Sequence, residues 1–95
     1  MSGLPIYINI DGTLTTSKRQ HAAPNLERID SVRDMIERGV PVVIWSAGGT
    51  EYAREFCARY KLNPVAALGK PSYCIDDNPK LRPSFLVVTP AELDV

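Results

Sequence analysis

Apolar residues along this chain fall into short unbroken runs, separated by stretches with a helical period. Ile6 to Ile10 is the first run; Pro5 opens it without removing a needed hydrogen bond, and Asp11-Gly12-Thr13 turns the chain away from it. Val40 to Trp45, Val65 to Leu68, Tyr73 to Ile75 and Phe85 to Val88 follow as further runs. Short, continuously apolar runs are typical of strands buried on both faces of a parallel sheet. Between the first two, Leu26, Ile29, Val32, Met35 and Ile36 recur at three- and four-residue spacings. They predict a helix with Asn25 at its N-cap and Gly39 just past its end. Tyr52, Ala53, Phe56, Cys57 and Tyr60 repeat the pattern after the Ser46-Ala47-Gly48-Gly49 turn. Thr50 is placed to cap that second helix, and Asn63-Pro64 to end it. Thr15 to Pro24 has no period and reads as a loop, and Pro90 to Leu93 as a last turn of helix.

Alternation of strand and helix predicts an α/β fold: one three-layer, Rossmann-like domain over residues 1–95. It would have a parallel sheet of about five strands, flanking helices and no cap domain. Composition changes this picture little, since 44% hydrophobic and 23% charged residues are ordinary for a globular domain. Eleven basic residues balance eleven acidic ones, so no overall field draws the chain to nucleic acid or to a membrane, local patches aside. No run approaches the roughly 18 apolar residues of a membrane span. Cys57 and Cys74 sit inside apolar patterns and read as buried reduced thiols, pointing to a cytoplasmic setting.

The candidate chemistry lies where the apolar runs stop. Asn9 and Asp11, Ser46 with Ala47, Lys70, and Asp76 with Asp77 each fall at a strand end or in the turn after it. In a parallel sheet all carboxyl ends share one edge, so these groups would converge there. Carboxylates from two places, a hydroxyl and an ammonium are the inventory of a Mg²⁺-assisted phosphate site. Oxygen ligands hold the ion, while lysine, hydroxyl and backbone N–H groups neutralise phosphoryl oxygens. Each group also has a plainer use: Asp11 as the start of an Asp-Gly turn, Ser46 as a partner for nearby N–H groups, Lys70 as a solvated turn residue, Asp76-Asp77 as a turn or cap. Lys18, Arg19 and His21 read either as solvated loop or as contacts for the far end of a substrate. Trp45, Tyr52, Phe56 and Tyr60 read as core packing.

Asp11-Gly12-Thr13-Leu14-Thr15, with Asn9 two residues upstream, resembles motif I of the haloacid dehalogenase (HAD) superfamily of phosphohydrolases, Asp-x-Asp-Gly-Thr-Leu/Val. Ser46 after Val42-Val43-Ile44-Trp45 is similar to motif II, Lys70 to motif III and Asp76-Asp77 to motif IV, in family order over nearly the whole chain. A response-regulator receiver has similar ingredients, but its acidic pair comes early and its lysine last. The HAD resemblance implies that Asn9 stands at the nucleophile, Asp11 at the general acid/base, and Ser46, Ala47 and Lys70 at the phosphoryl group. It also implies Mg²⁺ on residue 9, the Asp11 carbonyl and Asp76 or Asp77.

Two departures qualify the resemblance. Asn9 cannot attack phosphorus and brings no charge to a metal, so turnover should fall by roughly 10⁴- to 10⁶-fold. Yet the amide is nearly isosteric with aspartate and removes a negative charge facing phosphate. Either the chain is an inactivated form of a phosphatase, or it has lost catalysis and kept binding; the otherwise intact motifs favour the first. The second departure is size, because residues 15–24 and 62–69 leave no room for a cap. An open site suits a macromolecular phosphate (a nucleic acid end, a phosphoprotein, a modified sugar chain) unless a second subunit acts as the lid. The expected function is therefore a Mg²⁺-dependent phosphatase core with a disabled nucleophile. Its rivals are a catalytically inactive phospho-ligand or protein-binding module and, third, a purely structural domain.

Overall fold

The computed structural model describes residues 3–72, in the order β1 (Ile6–Asn9), α1 (Leu26–Glu37), β2 (Val42–Ser46), α2 (Thr50–Arg59) and β3 (Ala66–Gly69). The strands form one parallel sheet in the order β1-β2-β3, with Ile8 beside Ile44 and Ile44 beside Ala67. This is a small α/β fold of the Rossmann-like kind. Among the described residues the sheet has three strands where about five were expected. The expected strands Tyr73–Ile75 and Phe85–Val88, the last turn Pro90–Leu93, and Cys74 lie outside the described residues. No helix among the described residues is long and apolar enough to cross a membrane.

α1 starts where its sequence signals place it. The Asn25 side chain accepts a 3.1 Å bond from the Arg28 N–H, and the helix closes at Arg38 with Gly39 following at φ +86°. Ile29 and Val32 are buried, whereas Leu26, expected on the same face, is 60% exposed at the first turn. α2 departs from expectation at both ends. Gly49 is its N-cap, without a side-chain cap bond, and Thr50 is its first helical residue. The Thr50 hydroxyl instead accepts from the Gly69 N–H at 2.9 Å, joining the start of α2 to the end of β3. At the other end the helix stops at Arg59, before Asn63-Pro64, because Lys61 takes a left-handed φ of +55°. Arg33 of α1 donates to the Tyr60 carbonyl and ties the helices together there.

Both helices cover one face of the sheet. Ile29 and Val32 from α1 and Ala53, Phe56 and Cys57 from α2 join a single core with Ile8, Ile10, Val42, Ile44 and Leu62, with Ala67 packed against it. In the parallel register, Tyr7, Val43 and Ala66 form one row on the opposite face, and Asn9, Trp45 and Leu68 the next. The described part is thus two layers, not the expected three. Consecutive crossovers that step the same way along a sheet lay their helices on the same side. β1 is accordingly less covered than a strand buried on both faces: Ile6 and Tyr7 are each 45% exposed, and the Tyr7 ring meets Trp45 edge-on at 4.7 Å.

Candidate functional site

The turn after β1 is held from within. The Ile10 carbonyl accepts from the N–H groups of Thr13, Leu14 and Thr15, and fully buried Leu14 anchors the turn in the core. Gly12 sits at φ +82°, a conformation glycine adopts without steric cost, with the Lys18 stem against it. The Gly12 N–H donates to the Thr15 hydroxyl at 3.1 Å, and Arg28 donates to the Thr13 carbonyl at 3.3 Å. The loop that follows folds back on itself through an antiparallel bridge between Thr15 and Pro24.

Asp11 and Ser46, 35 positions apart, meet at the carboxyl edge. The Ser46 hydroxyl donates to Asp11 Oδ2 at 3.2 Å and accepts from the Gly48 N–H at 2.9 Å. Ser46 is fully buried, and its carbonyl accepts from Gly49 and Lys70 N–H groups at 3.2 and 2.9 Å. Its side chain therefore serves the local turn and Asp11 together. Ala47 lies exposed in the same turn.

Tyr52 is the residue that sequence reasoning missed. Assigned to the core on periodicity, it is half-buried and its hydroxyl donates to Asp11 Oδ1 at 2.6 Å. That hydroxyl also accepts from the His21 N–H at 3.2 Å, and the His21 ring stands edge-on to the Tyr52 ring at 5.3 Å. Both Asp11 oxygens thus accept a hydrogen bond from the β2–α2 segment, one from Ser46 and one from Tyr52. Burial first, and then the bond to Asp11, push the Tyr52 phenol above its ordinary value of 10, so it stays a donor at neutral pH. A sequence signal existed. Tyr52 falls in the first turn of a helix that starts at a strand's carboxyl end, beside whatever that edge holds.

Of the small basic run, His21 enters the site only through its backbone and ring, at φ +62°, and Lys18 through its stem over Gly12. Lys18, Arg19 and His21 are all exposed. A shallow cleft lies alongside, between this loop and α2, lined by Thr15, His21, Tyr52, Phe56 and Arg59 among others.

Lys70 reaches the edge differently from the other groups. Its N–H is bonded to Ser46, but its ammonium lies over the Trp45 ring, 5.7 Å from the centroid, at the range of a cation–π contact. Trp45 pairs in register with Asn9, so that ammonium sits on the sheet face they share. Asn9 in turn donates through Nδ2 to the Asp11 carbonyl at 2.6 Å and to the Thr13 hydroxyl at 3.2 Å. For the expected Mg²⁺ this is a poor fit: residue 9 presents an N–H, not an oxygen, to the carbonyl that would be a ligand. No three His, Cys, Asp or Glu side chains cluster for a metal among the described residues, and Asp76 and Asp77 lie outside them.

No family model and no curated protein matches the chain. Its structure is similar to the crystal structure of a target protein from Vibrio cholerae, at 18% identity and a TM-score of 0.64. The match covers 94% of this chain and 85% of that one. At that identity the likeness shows the fold alone.

Proposed function

We propose that this chain is the core of a small capless phosphohydrolase of the HAD kind, with an amide where the attacking carboxylate would stand. As written it binds phosphoryl groups and does not turn them over. The observation that carries this reading is the 3.2 Å bond between Ser46 and Asp11. It joins, from two strand ends, the two groups that the motif resemblance assigns to holding the phosphoryl group and to proton transfer.

With aspartate in place of Asn9, the carboxylate attacks phosphorus in line and an aspartyl-phosphate forms as the ester oxygen leaves. Asp11, once protonated, gives its proton to that oxygen, then takes one from the water that hydrolyses the acyl phosphate. The Ser46 hydroxyl, turning from Asp11, and the turn at Ala47 hold the phosphoryl oxygens. Lys70, a point charge on a flexible stem, swings from the Trp45 face to join them. The substrate is a phosphomonoester, and a segment after Leu14 too short for a cap, residues 15–24, suits a macromolecular one in the cytoplasm.

One observation favours the second reading, a non-catalytic phospho-ligand-binding module: the Asn9 amide nitrogen has an acceptor for each of its N–H groups, in the Asp11 carbonyl and the Thr13 hydroxyl. Hydrolysis of p-nitrophenyl phosphate by the chain and by Asn9→Asp, each with Mg²⁺ and with EDTA, separates the two. Activity in Asn9→Asp, at least roughly 10⁴-fold above the chain as written, is expected. A folded Asn9→Asp protein that hydrolyses nothing overturns the enzyme reading in favour of the binding module.

A further inference from the structure

The Asp11 carbonyl can only accept a hydrogen bond, so the Asn9 atom 2.6 Å from it has to be the amide nitrogen. The Thr13 hydroxyl, at 3.2 Å, takes the second N–H of the same group. That fixes the amide with its nitrogen towards the turn and its oxygen away from it. A carboxylate in the same place would set an anionic oxygen against a carbonyl oxygen at this distance. Such a pair is stable only with a cation to bind both. The amide supplies the positive end itself.

We infer that the Asn9 amide replaces the divalent cation in this chain, closing the turn between β1 and Thr13 so that the carboxyl edge is assembled without Mg²⁺. The inference deepens the reading above and rests on it in one respect, the expectation that a cation belongs at this carbonyl. To bind one, the amide must rotate by half a turn about its last bond and present its oxygen. Both donated hydrogen bonds are then lost, which weakens binding by about thirtyfold before the missing charge is counted.

Mn²⁺, an oxygen-preferring ion visible by electron paramagnetic resonance, tests this directly when titrated alone into the chain as written and into Asn9→Asp. The expected result is binding at least about thirtyfold tighter in Asn9→Asp. The thermal midpoint of the chain as written should be the same in Mg²⁺ and in EDTA, while that of Asn9→Asp should rise with Mg²⁺. Equal Mn²⁺ affinity in the two proteins overturns the inference, as does equal absence of binding. So does a Mg²⁺-dependent midpoint in the chain as written, which can be read even if Asn9→Asp does not fold. An Asn9→Asp protein that gains Mn²⁺ but hydrolyses no ester upholds the inference and refutes the phosphohydrolase. One that hydrolyses esters with no gain in Mn²⁺ affinity does the reverse.

Discussion

Replacing Tyr52 with phenylalanine removes a single oxygen and leaves the ring in its contact with His21 and against the core. The lost bond is 2.6 Å long and is donated to a carboxylate, which places it among the stronger hydrogen bonds, worth about 1.5–3 kcal/mol. Tyr52 and Asp11 are each half-buried, so water can replace the missing donor at Asp11 Oδ1, and about 1.5 kcal/mol is the expected loss. For a domain of this size that lowers the thermal midpoint by roughly 6–12 °C. Calorimetry or circular dichroism on Tyr52→Phe, Asp11→Asn and the double variant measures the coupling between the two groups. Tyr60→Phe is the control, since the Tyr60 hydroxyl makes no hydrogen bond among the described residues; it should shift the midpoint by no more than about 2 °C. A Tyr52→Phe protein no less stable than Tyr60→Phe, or a coupling energy near zero, would refute the placing of Asp11 by Tyr52.

Two further outcomes are expected. Asn25→Ala removes the acceptor for the Arg28 N–H at the start of α1 and should cost about 1 kcal/mol, seen as a lower urea midpoint with an unchanged m-value. Burial pushes the Cys57 thiol up to about 11 from 9.0, so the folded chain holds that proton more tightly than the unfolded one. Its contribution is therefore complete below pH 9 and is lost as pH rises from 9 to about 11. Urea midpoints across that range should fall more steeply for the parent than for Cys57→Ala, and parallel curves would contradict the burial of the thiol.

What the sequence by itself determined is what depends on neighbours along the chain. Three- and four-residue spacing of apolar side chains located both helices, and unbroken apolar runs located three strands, because burial of a stripe or a short ribbon is a local pattern. Asn25 and Gly39 ended α1 as expected, since capping needs only residues within one turn. Strand ends shifted by one or two positions, with Ile10 leaving β1 and Ser46 and Gly69 joining β2 and β3, because hydrogen-bond register decides a strand's end. Asp11 and Ser46 were legible as a pair, because parallel strands bring their carboxyl ends to one edge.

Only the tertiary structure decided the rest. Periodicity assigned Tyr52 to the core, but its place in the first turn of α2 brought its hydroxyl within reach of Asp11. Thr50 was free to cap until Gly69 of β3 arrived beside it. The sequence put Lys70 at the carboxyl edge, but the contact of its ammonium with the Trp45 ring follows only from the register that sets Trp45 between Asn9 and Leu68. Side-chain hydrogen bonds and ring contacts reach only a few ångströms. Which residues they join is set by the register of β1 against β2 and β2 against β3, and by both helices lying on one face of the sheet.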